Sequence, residues 1–319
     1  MLSRIADSLY WMSRQLERAE CTARLVEINL IHAVEAESAM PEEREWRPLL
    51  SICANESLYA ELAGGPSVVG ARVSHFLTRE RRNPSSIREA LRLARENARI
   101  VRDRISKEMW EALNELWLGS EERGQRPLDA GYFRWLRSEV DRFHGITSST
   151  MMRGEAFGFY LLGFFLERAD MTCRILDVKY HLLLPDASLV GSPLDYYQWA
   201  ALLRSLSGFE PYRRRYPHLQ PVDVAAFVVQ DGDFPRSLRF AVDRMEQALA
   251  KIGSAQAEWP SLQALGALRE RLEKYDAQAL FEVGLHEFLE SFIAGIAELH
   301  RAVQREYFAV HLGGEACAG

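Results

Sequence analysis

The sequence predicts an all-α protein, a helical bundle built from two tandemly duplicated, pseudo-symmetric halves. Three observations carry this. Apolar residues recur at alternating spacings of three and four over long stretches, sustained strand alternation is missing, and one charged segment occurs twice. The segment is Leu16-Glu17-Arg18-Ala19-Glu20-Cys21-Thr22-Ala23-Arg24-Leu25, repeated as Leu166-Glu167-Arg168-Ala169-Asp170-Met171-Thr172-Cys173-Arg174-Ile175 at an offset of 150 residues. Tyr10 and Tyr160 keep that offset. Trp46-x-x-Leu49-Leu50 answers Trp199-x-x-Leu202-Leu203, and Tyr59 answers Tyr212, at 153; Pro84-Ser85-Ser86-Ile87-Arg88 answers Pro235-Arg236-Ser237-Leu238-Arg239 at 151. The order is preserved, so the halves are expected over 1–150 and 151–319, packed as one domain. The correspondence fades after Asp103.

The first element is a long helix. Ile5, Leu9, Met12, Leu16, Ala19, Ala23, Val26 and Leu30 form a stripe of helical period, as a helix packed against neighbours requires. Gly64-Gly65-Pro66 is a turn signal. Pro84 with Ser85 or Ser86 opens a run rich in Arg, Glu and Ala, read as helix from Ile87 to Leu116. Gly119 to Gly131 reads as a connection to a helix from Tyr132 to about Thr150. The second motif helix carries Phe159, Leu162, Leu166, Ala169, Cys173, Leu176 and Tyr180. Pro185 to Pro193 interrupts the chain, and Asp195 to Leu206 resumes it. Pro211, Pro217, Pro221 and Pro235 punctuate shorter helices, and the last arm runs from about Leu262 to Phe308 with a break near Tyr275.

Composition narrows the class. Hydrophobic residues make up 48% and charged residues 26%, as in soluble globular proteins. A net charge of −6 gives no nucleic-acid footprint. The chain has no run of about 18 apolar residues, so no membrane span is expected. The opening Met1-Leu2-Ser3-Arg4-Ile5-Ala6-Asp7 lacks the apolar stretch of a signal peptide, and cytoplasm is the expected location. Cys21, Cys53, Cys173 and Cys317 are scattered without a C-x-x-C pair. The histidines, among them His32, His75, His144, His181 and His286, do not recur with the glutamates in the Glu-x-x-His pattern of di-iron bundles. Nucleotide-binding glycine loops and a nucleophile elbow are missing too. No cofactor or metal is expected.

The motif places charge on helices that are apolar all round. A rotation of roughly 100° per residue puts Arg14, Glu17, Cys21 and Arg24 opposite the apolar stripe. In the second copy Tyr160, Phe164, Met171, Ile175 and Val178 surround Glu167 and Arg174. Buried charges must be paired, which leaves three roles open: a salt-bridge network ordering the halves, an arginine site for a carboxylate or phosphate, and acid/base catalysis. The last is weakest, since a carboxylate beside arginines has a lowered pKa and donates protons poorly near neutrality. Trp199, Arg204, Tyr212 and Arg213 form an aromatic and basic cluster, read either as a partner-docking surface or as a core Trp and Tyr fringed by arginines.

The opening Met1-Leu2-Ser3-Arg4 with Tyr10-Trp11, both Leu-Glu-Arg-Ala motifs, the run Ala94-Arg95-Glu96-Asn97-Ala98-Arg99 with Val101-Arg102-Asp103, and Phe234-Pro235-Arg236-Ser237-Leu238-Arg239-Phe240 together resemble the bacterial alpha-E family. The resemblance spans Met1 to about Phe308, and the family's Glu-Arg motif falls on Glu17, Arg18, Glu167 and Arg168. It implies a genomic neighbourhood: a circularly permuted ATP-grasp protein, a transglutaminase-like protease and sometimes the proteasome-like Anbu peptidase. That setting implies a peptide-synthesis or peptide-modification system, but no reaction for the alpha-E component itself. The expected role is a helical accessory subunit that docks the ATP-grasp protein and its peptide. The alternatives are an enzyme handling a peptidyl or acyl intermediate through Glu17, Arg24, Glu167 and Arg174, and a self-assembling structural homo-oligomer.

Overall fold

The computed structural model describes residues 1–35, 41–182, 193–253, 259–276, 279–280 and 284–308, with the side chains of 32–35, 179–182 and 193–194 excepted. Among the described residues there are fourteen α-helices and no strands. They are α1 (Ser3–Glu35), α2 (Glu42–Ile52), α3 (Glu56–Ala63), α4 (Gly70–Thr78), α5 (Ile87–Ile100), α6 (Lys107–Arg123) and α7 (Ala130–Thr150). After a short connection come α8 (Glu155–Leu182), α9 (Pro193–Ser205), α10 (Phe209–Arg215), α11 (Pro221–Gln230), α12 (Leu238–Ile252), α13 (Pro260–Lys274) and α14 (Leu285–Val303), closed by a π-helical turn over Gln304–Phe308. No helix among the described residues is long and apolar enough to cross a membrane. The interruption expected over Pro185 to Pro193 falls almost wholly outside the described residues, as do Cys317 and the side chains of His32 and His181.

The two motif helices, α1 and α8, form the centre. They run side by side in parallel: the Met1 amino group meets Glu155, Tyr10 lies against Gly163, and Glu17 meets Arg168. At the crossing the backbones nearly touch, because a Cβ on Gly163 would sit 2.2 Å from the Tyr10 carbonyl oxygen. Around this pair, α5 lies along α1 and α12 along α8; α7 and α14 flank them, and α6 and α13 form the outer layer. The apolar stripe of α1 is fully buried at Leu9, Met12, Leu16, Ala19, Ala23 and Val26, and buried apolar side chains from both motif helices and their neighbours form one cluster.

Capping chemistry sets several boundaries. Ser86 accepts the backbone N–H of Glu89 and Ser237 that of Phe240, so the two Pro-x-Ser segments start α5 and α12 in the same way. After α2 and α9 the chain turns through a left-handed residue, Ala54 and Ser207, each at φ +52°. The turns share their hydrogen bonds: Ala54 N–H to Ser51 and Asn55 N–H to Leu50 in one, Ser207 N–H to Arg204 and Gly208 N–H to Leu203 in the other.

Two expectations need correction. The run from Ile87 to Leu116 is two helices, because the chain turns over 101–105 and Ser106 caps a new helix by accepting from the Met109 N–H. The connection expected from Gly119 begins only at Gly124, since Gly119 lies inside α6 with its bare Cα against the Trp135 ring.

Candidate functional site at the paired motif helices

Each motif glutamate is fully buried and paired with the arginine of the other motif. Glu17 accepts from Arg168 Nε at 2.7 Å and Nη2 at 3.0 Å. Reciprocally, Glu167 accepts from Arg18 Nε at 2.6 Å and Nη2 at 3.1 Å. The bidentate fork is the geometry in which a guanidinium binds a carboxylate most strongly. Each glutamate also has a second arginine, from a different place. Arg236, just before α12, donates to Glu17 at 3.2 Å, whereas Arg14 on α1 donates to Glu167 at 2.8 Å.

One turn further along, each motif helix carries its own i,i+4 ion pair. Arg24 pairs with Glu20 and also donates to Ser207, and Arg174 forms a two-bond pair with Asp170 at 2.8 and 3.2 Å. Neither Arg24 nor Arg174 bonds a motif glutamate, since seven residues put nearly two helical turns between them. Glu20 is shared further: Arg236 donates to it at 3.0 Å and Arg137 of α7 at 3.3 Å, and Arg137 continues to Glu27 at 2.6 Å.

These arrangements decide the protonation states. Burial pushes the Glu17 carboxyl up, but Arg168 and Arg236 outweigh it and hold it below the usual range. Glu167 is likewise raised by burial and brought down to about 2 by Arg18 and Arg14. Both glutamates are therefore carboxylates near neutral pH with no proton to give. The Cys21 thiol beside Glu17 is pushed up, chiefly by burial. Glu17, Glu20 and Cys21 are close enough to share one ion, yet Arg24, Arg168 and Arg236 already occupy their acceptor positions with positive charge, which opposes a cation there.

Two tyrosine–histidine pairs flank the network. Tyr10 of α1 meets His300 of α14 with 2.8 Å between its hydroxyl and Nδ1, and Tyr160 of α8 meets His144 of α7 at 2.6 Å. Arg14 also points a donor at His300 Nδ1, at 3.2 Å; since arginine only donates, that nitrogen is an acceptor and the ring is neutral. Burial depresses both imidazoles to about 4, with Arg14 adding to the effect at His300.

Of the motif or ligand-binding candidates named from the sequence, Arg14, Glu17, Arg18, Glu167 and Arg168 meet between α1 and α8, whereas Arg24 and Arg174 pair with Glu20 and Asp170 on their own helices. Sequence reasoning missed Arg236, Glu20, Arg137 and the two histidines. Arg236 was readable only as an arginine in a Pro-x-Ser segment whose other copy has Ser85. The proposed docking cluster divides: Trp199 and Tyr212 are buried, with the Tyr212 hydroxyl donating to the His218 carbonyl, so neither can present a surface. Arg204 and Arg213 are exposed and lie over the Phe209 ring.

Two cavities border the network. One, of about 110 Å³, is mainly apolar and lies between α1, α2, α8 and α9, with Leu25, Leu49, Ile175 and Leu202 in its wall. The other, of about 180 Å³, is polar and is bounded by Arg18, Glu167, Asp170, Arg174, Cys53 and Ser85.

An all-helical fold with two crossed Glu-Arg pairs between parallel central helices defines the class of this protein. The family model Alpha-E, described as "a predicted alpha-helical domain with a conserved ER motif", matches residues 1–308, and the chain belongs to the Alpha-E family. No curated protein and no solved structure matches the chain.

Proposed function

We propose that this Alpha-E chain is a tandemly duplicated helical accessory subunit of a cytoplasmic ATP-grasp-associated system for peptide synthesis or modification. It docks the circularly permuted ATP-grasp protein and its peptide substrate, with a transglutaminase-like protease or an Anbu peptidase as further partners. One observation carries the non-catalytic part: Glu17 and Glu167 are each closed into a buried bidentate pair with the other motif's arginine. A carboxylate held in this way orders an interface and is a poor acid or base. The duplication is supported by the paired turns at Ala54 and Ser207, the paired caps at Ser86 and Ser237, and the crossed Glu-Arg bonds. Arg204 and Arg213 are the exposed candidates for partner contact.

Co-purification with the neighbouring ATP-grasp protein tests this reading, and a stable complex is the expected result. Glu17→Gln should then impair folding or assembly more than turnover. Failure to form a complex would sink the subunit reading. A second reading, an enzyme working on a peptidyl or acyl intermediate, is favoured by the solvent-reachable polar cavity beside Arg18, Glu167 and Arg174. A folded Glu17→Gln/Glu167→Gln protein that assembles normally but makes no product would select it.

A further inference from the structure

The polar cavity lies where the two halves differ most sharply in one residue. Pro84-Ser85-Ser86 and Pro235-Arg236-Ser237 have the same course, each ending in a serine cap whose own N–H donates three residues back, to Asn83 and Phe234. In the second half the residue before the cap is Arg236, which reaches across to Glu17 at 3.2 Å and Glu20 at 3.0 Å. In the first half that residue is Ser85, and Glu167 and Asp170, the counterparts of Glu17 and Glu20, face the 180 Å³ cavity beside it. That volume is several times the roughly 30 Å³ a water molecule takes in the liquid.

The acceptors match as well as the space. Glu17 Oε1 receives both Arg168 Nε and Arg236 Nη1, whereas Glu167 Oε1 receives Arg18 Nε alone, its second arginine, Arg14, falling on Oε2 beside Arg18 Nη2. Glu20 takes Arg236 on one oxygen and Arg24 on the other, whereas Asp170 meets Arg174 on both. A carboxylate oxygen accepts more than one hydrogen bond, so Glu167 and Asp170 retain capacity toward the cavity. The charge inventory tolerates a cation too. Around Glu17, Glu20 and Glu27 stand Arg24, Arg134, Arg137, Arg168 and Arg236, two positive charges more than the acids. Around Glu167 and Asp170, with Asp177 nearly two turns beyond and paired with His286, Arg14, Arg18 and Arg174 balance the three acids, and one further guanidinium leaves this side no more positive than the other.

We infer that the cavity beside Ser85 is a binding site for a guanidinium group, delivered by a free guanidine or by an arginine of a peptide or partner, which hydrogen-bonds Glu167 and Asp170 as Arg236 does Glu17 and Glu20. This rests on the equivalence of the halves proposed above and not on the docking of an ATP-grasp protein.

Titration of the full chain with methylguanidinium tests it, followed by the NMR signal of the Met171 methyl group on the cavity wall, with N-methylurea as the neutral control and sulfate as the anion control. Saturable shifts with methylguanidinium alone are expected, weakened at least tenfold in Asp170→Asn and lost in Ser85→Arg, whose own guanidinium fills the site. If Ser85→Arg does not fold, the Asp170→Asn comparison decides. Agmatine and a capped Gly-Arg-Gly peptide separate the sources: a response to agmatine alone assigns a free guanidine, and a response to both assigns an arginine side chain. No saturable response to methylguanidinium, an equal response to N-methylurea, or saturation by sulfate instead overturns the inference. Arg236→Ser distinguishes the failures: rescue of its thermal stability by methylguanidinium with no binding to the wild type keeps the equivalence and rejects the site.

Discussion

Glu167 keeps its charge inside the protein because two guanidiniums reach it from α1, Arg14 from one side and Arg18 through a two-bond fork. A buried ion pair adds little net stability over a well-packed apolar one, but removing a single partner strands the other charge. Glu167→Gln is therefore expected to lower the unfolding free energy by about 3–5 kcal/mol, read by urea denaturation. A change of a few tenths would mean that Arg14 and Arg18 are solvated without it. Burial at Cys21 has a chemical consequence. Its thiol is covered and pushed up in pKa, so it should resist a thiol reagent in the native state and react on unfolding; rapid native labelling at Cys21 would contradict the packing of α1 on Arg236.

At the scale of elements, the α1–α8 crossing depends on Gly163. A methyl group there meets the Tyr10 carbonyl oxygen and the Ser13 hydroxyl, a backbone contact that no side-chain rotation relieves. Gly163→Ala should destabilise by about 1–3 kcal/mol or more, as overpacking does, and lower the melting temperature; an unchanged melting temperature would show that the helices separate freely. The helices themselves were legible because their apolar stripes and serine caps are local signals. The break at 101–105 was not, since Arg102, Asp103 and Arg104 suit a helix and the turn is set by packing α6 back on α5. The partners of Glu17 were half legible. Arg168 stands in the repeated motif, but Arg236 lies 219 residues away and reaches Glu17 only through the fold.

Across the whole molecule, buried titratable groups fix the response to acid. His144 and His300 are depressed from 6.5 to about 4, so the unfolded chain takes up protons before the native one as pH falls. Stability is full above 6.5 and declines between 6.5 and 4. Glu167, lowered from 4.5 to about 2, adds a contribution present above 4.5 and lost as pH falls toward 2, and Glu17 acts in the same direction. Urea midpoints should thus fall in two successive stages from pH 7 downward; a midpoint that holds constant to pH 4.5 would contradict the neutral, half-buried histidines.

In the proposed reading the crossed Glu-Arg pairs are a lock between α1 and α8. A double-mutant cycle on Glu17 and Arg168, using Glu17→Gln, Arg168→Met and the pair, tests it by equilibrium unfolding. The lock predicts a coupling of about 1.5–3 kcal/mol. Coupling near zero, with Glu17→Gln as stable as the wild type, would contradict it.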